Sequence, residues 1–278
     1  MDIRTRNSVS TVVRLLSTKV PVELALDIID IADYHPYTIL SSREEMDHVG
    51  AYRSKTYLTV NIPYFGTRNN VDERNPERQI VRKIVFRTTS HDQGWGGQMG
   101  CQGKYKGAFS WLGAEIWRKK TGNYKKDMKT ALDSQVKIIE ANGGDRNDPS
   151  AYHHWYMHHG YTKMGEEEEG GRGDDYKVGT WVLPRNICAK GENTDHEIIW
   201  DARIDGPGPD AERWELDCGY KDEDGRPMDL GWLKNGRLDN GVFVRELREG
   251  DEVRVTMRAY FGGWSCTVEK CEIECWWA

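Results

Sequence analysis

The sequence has no long hydrophobic run. No window approaches the roughly 18 consecutive apolar residues that a membrane-spanning helix needs, and residues 1–6 begin a polar stretch without the apolar centre of a signal peptide. We therefore expect a cytoplasmic protein that neither spans a membrane nor follows the conventional secretory route.

A basic cluster is lacking too. The net charge is −6, and the lysines and arginines are interspersed with acidic neighbours along the chain. A protein that binds the phosphate backbone needs a patch or stripe of Lys and Arg. We therefore expect no nucleic-acid partner.

Cysteines are few, and they are not arranged as a disulfide framework. Without a secretory signal, we expect reduced thiols. If the C-terminal segment is a strand, Cys271 and Cys275 share one face but lie about 13 Å apart, which is too far for a disulfide or a shared metal ion. We predict that they are buried small side chains.

Large aromatic residues are abundant. The 11 Trp and 13 Tyr supply surface for a packed core, although the mean hydropathy is only −0.76. A chain of 278 residues is long enough for one large domain or two small ones.

Residues 20–34 have the pattern of an amphipathic helix. Leu24, Ala25, Ile28, Ile29 and Ala32 form one apolar stripe. Pro21 suits the first helical turn, and the His35-Pro36 pair ends the helix. The stripe either packs on the chain's own body or docks a partner, and the pattern leaves both alternatives open.

Strand patterns dominate from residue 79 onward. Between Val253 and Ala259 apolar and polar residues alternate strictly, which is typical of a strand with one buried face. Further strands are predicted at Ile80–Thr89, Gly107–Trp117, Val178–Cys188, His196–Ile204, Val242–Arg248 and Thr267–Trp277. Tyr57–Ile62 is interpreted as a connector or an edge strand. This count predicts a mainly β fold, a jelly-roll-like (galactose-binding-like) β-sandwich.

One later segment has helical spacing. Met128, Leu132, Val136 and Ile139 recur at helical intervals before Asn142 and two glycines, which predicts an inserted helix near 124–142. We therefore divide the chain into an N-terminal helix and connector (1–76) and a β-sandwich domain (77–278).

The loop that follows the first long strand concentrates polar groups around an indole. His91, Asp92, Gln93 and Trp95 lie between Ser90 and a pair of glycines. Donors and acceptors beside a flat ring suit a polar ligand such as a sugar. The alternative is a structural turn in which Asp92 and Gln93 bond to the backbone and Trp95 closes the end of the sandwich. The predicted ligand-binding residues are His91, Asp92, Gln93, Trp95, Trp111, Arg185, Asn186 and Trp264. Arg185 either pairs with Asp92 across the sandwich or meets an anionic ligand.

A second cluster, at residues 152–161, contains four histidines. On a helix His154 and His158 are one turn apart and could hold a metal ion, yet no Glu lies between them as in a His-Glu-x-x-His site. We predict no metal site and no cofactor. If the protein is an enzyme, its acid/base candidates are His91, Asp92, His154 and His158.

Several segments are similar to those of an uncharacterised group of filamentous-fungal proteins often described as F-box-like. The similarity spans most of the chain and is carried by Val20–Pro36, Val81–Trp95, Ser110-Trp111, Leu183–Ile187, His196–Trp200 and Arg258–Trp264. An F-box docks on Skp1 of a ubiquitin ligase through its Leu-Pro start and first helix. The resemblance implies a Skp1-type partner for Pro21, Leu24, Ile28 and Ile29.

Two departures from the F-box pattern are visible. Val20 stands where the usual leucine would be, and the two following F-box helices are not evident between 37 and 76. The sandwich also resembles the β domains that follow F-boxes in glycoprotein-recognising ligase adaptors.

Two functions remain as hypotheses. The first is a ligand-recognition β-sandwich with a small-molecule or glycan-like ligand, which in one form is a substrate-binding adaptor tethered through the N-terminal helix. The second is an enzyme of fungal specialised metabolism, such as a cyclase, lyase or isomerase, with histidine and carboxylate groups in an aromatic-lined pocket.

Overall fold

The protein is mainly β, and two antiparallel sheets form a sandwich. The computed structural model describes residues 6–51, 53–63, 81–97, 100–105, 107–119, 161–163, 166–167, 175–204, 240–259 and 262–277. The predicted sandwich class is confirmed, whereas its jelly-roll connectivity stays a prediction. Within the described part of the chain, no helix is long and apolar enough to cross a membrane.

Fourteen elements are described. The helices are α1 (Arg6–Leu16), α2 (Val22–Ile31) and α3 (Asn240–Glu246). The strands are β1 (Tyr37–Arg43), β2 (Asp47–Val49), β3 (Arg53–Asn61), β4 (Val81–His91), β5 (Ser110–Lys119), β6 (Tyr161–Lys163), β7 (Glu166–Glu167), β8 (Asp175–Arg185), β9 (Thr194–Asp201), β10 (Glu252–Ala259) and β11 (Cys266–Trp277).

The larger sheet is built around the last strand. Its order is β1-β11-β4-β9, and β2 also pairs with β11. Side chains alternate along these strands, so Ile84 and Phe86 of β4 and Ile273 of β11 are buried together in the core. Cys271 and Cys275 are buried beside Ile273, as predicted.

The second sheet has the order β3-β10-β5-β8. The predicted alternation in β10 is confirmed, since Val253, Val255 and Met257 are fully buried. They lie opposite the core-facing residues Ile116, Ala114 and Leu112 of β5. The sheet therefore contributes one apolar face to the interior.

The segment 37–61 supplies strands to both sheets. β1 and β2 pair with β11, and β3 is an edge strand that pairs with β10. The edge-strand interpretation of Tyr57–Ile62 is confirmed, while β1 and β2 were not predicted. The predicted inserted helix near 124–142 and the proposed boundary at residue 76 lie outside the described residues.

The N-terminal segment forms two helices. The predicted helix is confirmed as α2, which follows Pro21. Helix α1 was not predicted, because the valines in this segment have a high β propensity. The helical signal was the spacing of Val9, Val13 and Leu16. The chain turns out of α2 at Asp33, where the backbone is left-handed (φ 50°).

The strand predicted at Val242–Arg248 was wrong, because this segment begins with helix α3. Phe243 and Val244 are both buried in the core, and a helix can turn two adjacent side chains toward one side, whereas adjacent side chains of a strand point to opposite faces of the sheet. Phe243 fills the space between the sheets, with its ring centroid 4.9 Å from Trp181 and 4.6 Å from Trp200. Packing therefore overrides the β propensity of the valines.

Helix α3 lies close to the backbone that follows β9. A Cβ atom at Gly241 would lie 2.1 Å from the carbonyl oxygen of Ile204, so only glycine fits there. This contact positions Phe243 over the core.

We expect Phe243→Ala to lower the free energy of unfolding by about 3–5 kcal/mol, because it leaves a cavity between the sheets. Val244→Ala should cost about 1.5 kcal/mol through lost apolar burial. Val242→Ala, at a partly buried position of the same helix, is the matched control and should cost less than either. Urea denaturation measures all three, and a negligible effect of either core substitution would contradict the helical packing.

We expect Cys271 and Cys275 to resist alkylation in the native protein. Burial raises the pKa of both thiols to about 12, so few thiolates exist at neutral pH. Iodoacetamide followed by peptide mapping should find both unmodified until denaturant is added. A cysteine introduced at exposed Ser54 is the reactive control, and equal labelling at all three positions would contradict burial.

Candidate functional site

The loop 92–97 lies at one end of the sandwich. It follows β4 and lies against two other loops, the turn after β8 at 186–191 and the turn before β11 at 262–265. This is the loop in which the sequence predicts the ligand site. Its neighbours come from distant parts of the chain, so only the fold brings them together.

Asp92 is buried, and both carboxylate oxygens accept backbone hydrogen bonds. Gly94 N donates to Oδ1 at 2.9 Å, and Ala189 N donates to Oδ2 at 2.7 Å. Burial raises the pKa of Asp92 above its ordinary value, although the two backbone N–H groups favour the charged form. Asp92 therefore fastens the loop to the turn after β8.

Gln93 fastens the same loop to the turn before β11. Its Nε2 donates to the carbonyl oxygen of Trp95 at 2.7 Å, and its Oε1 accepts from Ser265 N at 3.2 Å. Both side chains thus bond to the backbone, as the structural-turn alternative requires. The loop is consequently held from two sides.

Trp95 is the exception in this loop, because its side chain faces solvent. The residue is 63% exposed. Its ring lies over the backbone of Gly263, where φ is 83° and an added Cβ would be 3.0 Å from the indole. Trp95 therefore does not close the end of the sandwich but lies on its surface, with one edge supported by a glycine turn.

Asn186 is buried, and its side-chain amide forms hydrogen bonds with strands of both sheets. Its Oδ1 accepts from Ser90 Oγ at 2.7 Å. Its Nδ2 donates to the carbonyl oxygen of His91 at 3.1 Å, to Ser110 Oγ at 3.0 Å and to Cys266 Sγ at 3.4 Å. These partners belong to β4, β5 and β11, so one amide connects three strands under the loop.

The remaining predicted ligand residues are also withdrawn from solvent. Arg185 Nη1 donates to the carbonyl oxygen of Ala108 at 2.8 Å. Trp264 packs edge-on against Phe109, with ring centroids 5.3 Å apart. Trp111 is buried on β5, and its alternation with core-facing Leu112 places it on the outer face of the four-stranded sheet.

The sequence allowed a pairing of Arg185 with Asp92. Among the described residues no ion pair joins them: Asp92 accepts from Gly94 N and Ala189 N, and Arg185 Nη1 donates to Ala108. The predicted ligand residues therefore divide into two groups. His91, Gln93 and Trp95 reach the surface, whereas Asp92, Trp111, Arg185, Asn186 and Trp264 are buried.

The candidate acid/base groups differ in their burial and in their hydrogen bonds. His91 Nδ1 lies 2.6 Å from the carbonyl oxygen of Asp92, which assigns the ring hydrogen to Nδ1 and leaves Nε2 as an acceptor. Asp92 is fully enclosed. His154 and His158 lie outside the described residues. Within the described part of the chain, no group of three or more His, Cys, Asp or Glu side chains is placed to hold a metal ion.

A buried charge network on the outer face of the four-stranded sheet was missed. Glu115 Oε1 lies 2.5 Å from Arg258 Nη2 and 3.6 Å from Lys177 Nζ, and Oε2 accepts from Trp117 Nε1 at 2.8 Å. Arg254 lies over the Trp117 ring, 4.1 Å from its centroid. A glutamate within the aromatic strand 107–117 was the signal that could have revealed it.

The network keeps Glu115 ionised. Burial alone would raise the pKa of Glu115, but Lys177, Arg258 and the Trp117 N–H outweigh it, and the pKa falls below its ordinary value. A carboxylate with a lowered pKa is a weak proton acceptor at neutral pH. The Glu115 carboxylate is therefore better suited to orienting Arg258 than to accepting a proton.

The predicted partner-binding residues also divide. Pro21, Leu24 and Ile28 are exposed, whereas Ile29 is buried together with Ala25. The segment 37–61, where further F-box helices were not evident, consists of strands β1 to β3.

No protein-family model matches the chain, and no curated protein or solved structure matches it either.

We expect Asn186→Ala to lower the free energy of unfolding by about 2–4 kcal/mol, because buried polar groups on three strands lose their partner. Asn61→Ala, at an exposed position of β3, is the control and should change stability by less than about 0.5 kcal/mol. Urea denaturation followed by circular dichroism measures both. Equal effects of the two substitutions would refute the joining role of Asn186.

Proposed function

We propose that the protein is a non-catalytic recognition protein whose sandwich end binds a polar, ring-bearing ligand such as a glycan. The observation that carries this proposal is the exposed indole of Trp95 on a loop fastened at both sides. Buried indoles are ordinary core residues, whereas an indole left in water on an ordered loop is a ready contact surface.

Rigidity of the loop supports binding. A ligand that stacks on a mobile loop must also pay for ordering that loop. Here Asp92 and Gln93 already fasten the loop to the turns at 186–191 and 262–265, so little loop entropy remains to be lost. Trp95 thus provides apolar contact area at low entropic cost.

The polar groups beside the ring suit hydroxyl partners. His91 Nε2 is an acceptor in the neutral ring, and Gln93 Nε2 carries a second N–H beyond the one donated to Trp95. Both side chains are partly exposed. A sugar offers an apolar ring face for the indole and hydroxyls for these groups.

The enzyme alternative draws no support from Asp92, although His91 is partly exposed. The oxygens of Asp92 are occupied and shielded from solvent, so they cannot exchange a proton with a surface ligand. Its other two candidates, His154 and His158, lie outside the described residues. The enzyme therefore remains the second hypothesis.

The adaptor part of the proposal concerns helix α2. Exposed Pro21, Leu24 and Ile28 support a docking surface rather than packing on the sandwich. The resemblance implies a Skp1-type partner for this surface. Purified Skp1 tested by surface plasmon resonance against the whole chain decides that implication.

The ligand site is tested by replacing the exposed indole. Fluorescently labelled wild-type protein on a glycan microarray identifies the best-bound oligosaccharide, and calorimetry with that oligosaccharide gives the affinity. We expect Trp95→Ala to weaken binding at least about tenfold through lost stacking, and Trp95→Tyr to retain most of it.

Ile199→Ala is the matched control, because Ile199 is also an exposed hydrophobic residue but lies on β9. It should leave the affinity unchanged. The proposal fails if wild-type protein binds no glycan on the array, or if Trp95→Ala binds as tightly as the wild type.

A further inference from the structure

Helix α2 has an apolar stripe that faces solvent. Leu24, Ile28 and Ile31 are 51%, 41% and 85% exposed. Their spacing of four and three residues places them on one side of the helix. Ala25 and Ile29 are buried on the adjoining side, so α2 has more apolar surface than its own fold covers.

Helix α1 packs against α2 and adds to this surface. Leu15 is 61% exposed. Val12, Val13 and Leu16 are only partly buried. The two helices form a hairpin, residues 6–31, that is apolar on a wider face than a surface helix needs.

The hairpin is fixed to the sandwich by ion pairs at the end of α2. Asp30 Oδ1 lies 2.8 Å from Arg82 Nη1 of β4. Asp33 is paired with Lys83 and lies 3.4 Å from Arg203 Nη2. The exposed stripe therefore belongs to an anchored element rather than to a loose terminus.

Exposed charges of opposite sign lie on the two helices. Arg14 and Lys19 lie on α1 and in the turn after it, whereas Glu23 and Asp27 lie on α2. All four are exposed, and none has an ion pair within the described part of the chain. The hairpin thus carries an exposed apolar stripe on α2, two exposed cations on and after α1, and two exposed carboxylates on α2.

We propose that the hairpin docks on the hairpin of a second copy of this chain and forms a symmetric dimer. A twofold interface needs a surface that complements itself, because each residue of one subunit meets the symmetry-related patch of the other. With α1 of each subunit across α2 of its partner, basic α1 meets acidic α2 twice. The stripes then close a four-helix bundle.

The second copy fits better than a Skp1-type partner. In an F-box further helices complete the docking surface, whereas here strands β1 to β3 follow α2 directly. A partner that complements these charges must also be acidic opposite α1 and basic opposite α2. The chain itself has that pattern.

The first experiment measures the oligomeric state of the whole chain by sedimentation equilibrium. Wild-type protein should sediment as a dimer of the 32.0 kDa chain. Leu24→Ser with Ile31→Ser should raise the dissociation constant at least about 100-fold. Met46→Ser with Ile199→Ser, which replaces two exposed hydrophobic residues of the sandwich, should leave it unchanged.

The second experiment tests self-complementarity. Arg14→Glu with Lys19→Glu, and separately Glu23→Lys with Asp27→Lys, should each weaken dimerisation because like charges then face each other. An equimolar mixture of the two variants should restore a dimer, since opposite charges face each other again. All four positions are exposed, so folding is retained, and far-ultraviolet circular dichroism verifies it.

Three results would overturn the proposal. The first is a wild-type chain that stays monomeric at roughly 100 µM, well above the dissociation constant of a specific interface. The second is a dimer that persists in the Leu24→Ser, Ile31→Ser variant. The third is a mixture of the two charge-reversed variants that fails to associate. Capture of purified Skp1 by a monomeric wild-type chain would assign the surface to that partner instead.

Discussion

The buried amide of Asn186 is the interaction on which the end of the sandwich depends. An amide inside an apolar interior is stable only when its donors and acceptor all find partners. Asn186 meets this requirement with Ser90, His91, Ser110 and Cys266, which belong to both sheets. The loop above it starts from strands that are already joined, so Asp92 and Gln93 need only hold the last few residues beneath Trp95.

The strands were predictable where burial alternates strictly. Val253, Val255 and Met257 all face the core, and Arg254 and Arg258 do not. Prediction failed at Val242–Arg248 because its β-branched residues favour a strand, whereas the packing of Phe243 between Trp181 and Trp200 is made from a helix. It also missed β1, whose pairing depends on β11, more than 200 residues away in the chain.

The position of the loop was predictable, but the direction of each side chain was not. Glycines and polar residues after a strand predicted a turn, and Trp95 supplied that turn with an aromatic side chain. Whether Asp92 faces a ligand or the backbone depends on Ala189, which the sequence places almost a hundred residues away. Glu115 was missed for a similar reason, because its partners Lys177 and Arg258 come from two other strands.

The pairing of β1 to β3 has a consequence for how the chain is made. β1 and β2 pair with β11, and β3 pairs with β10, which begins about 190 residues after β3 ends. At about 5–20 residues per second, a ribosome needs roughly 10 to 40 s to cover that distance. During this interval Tyr57, Leu58 and Val60 have no strand partner, so the nascent chain presents aggregation-prone surface to the cell's chaperones.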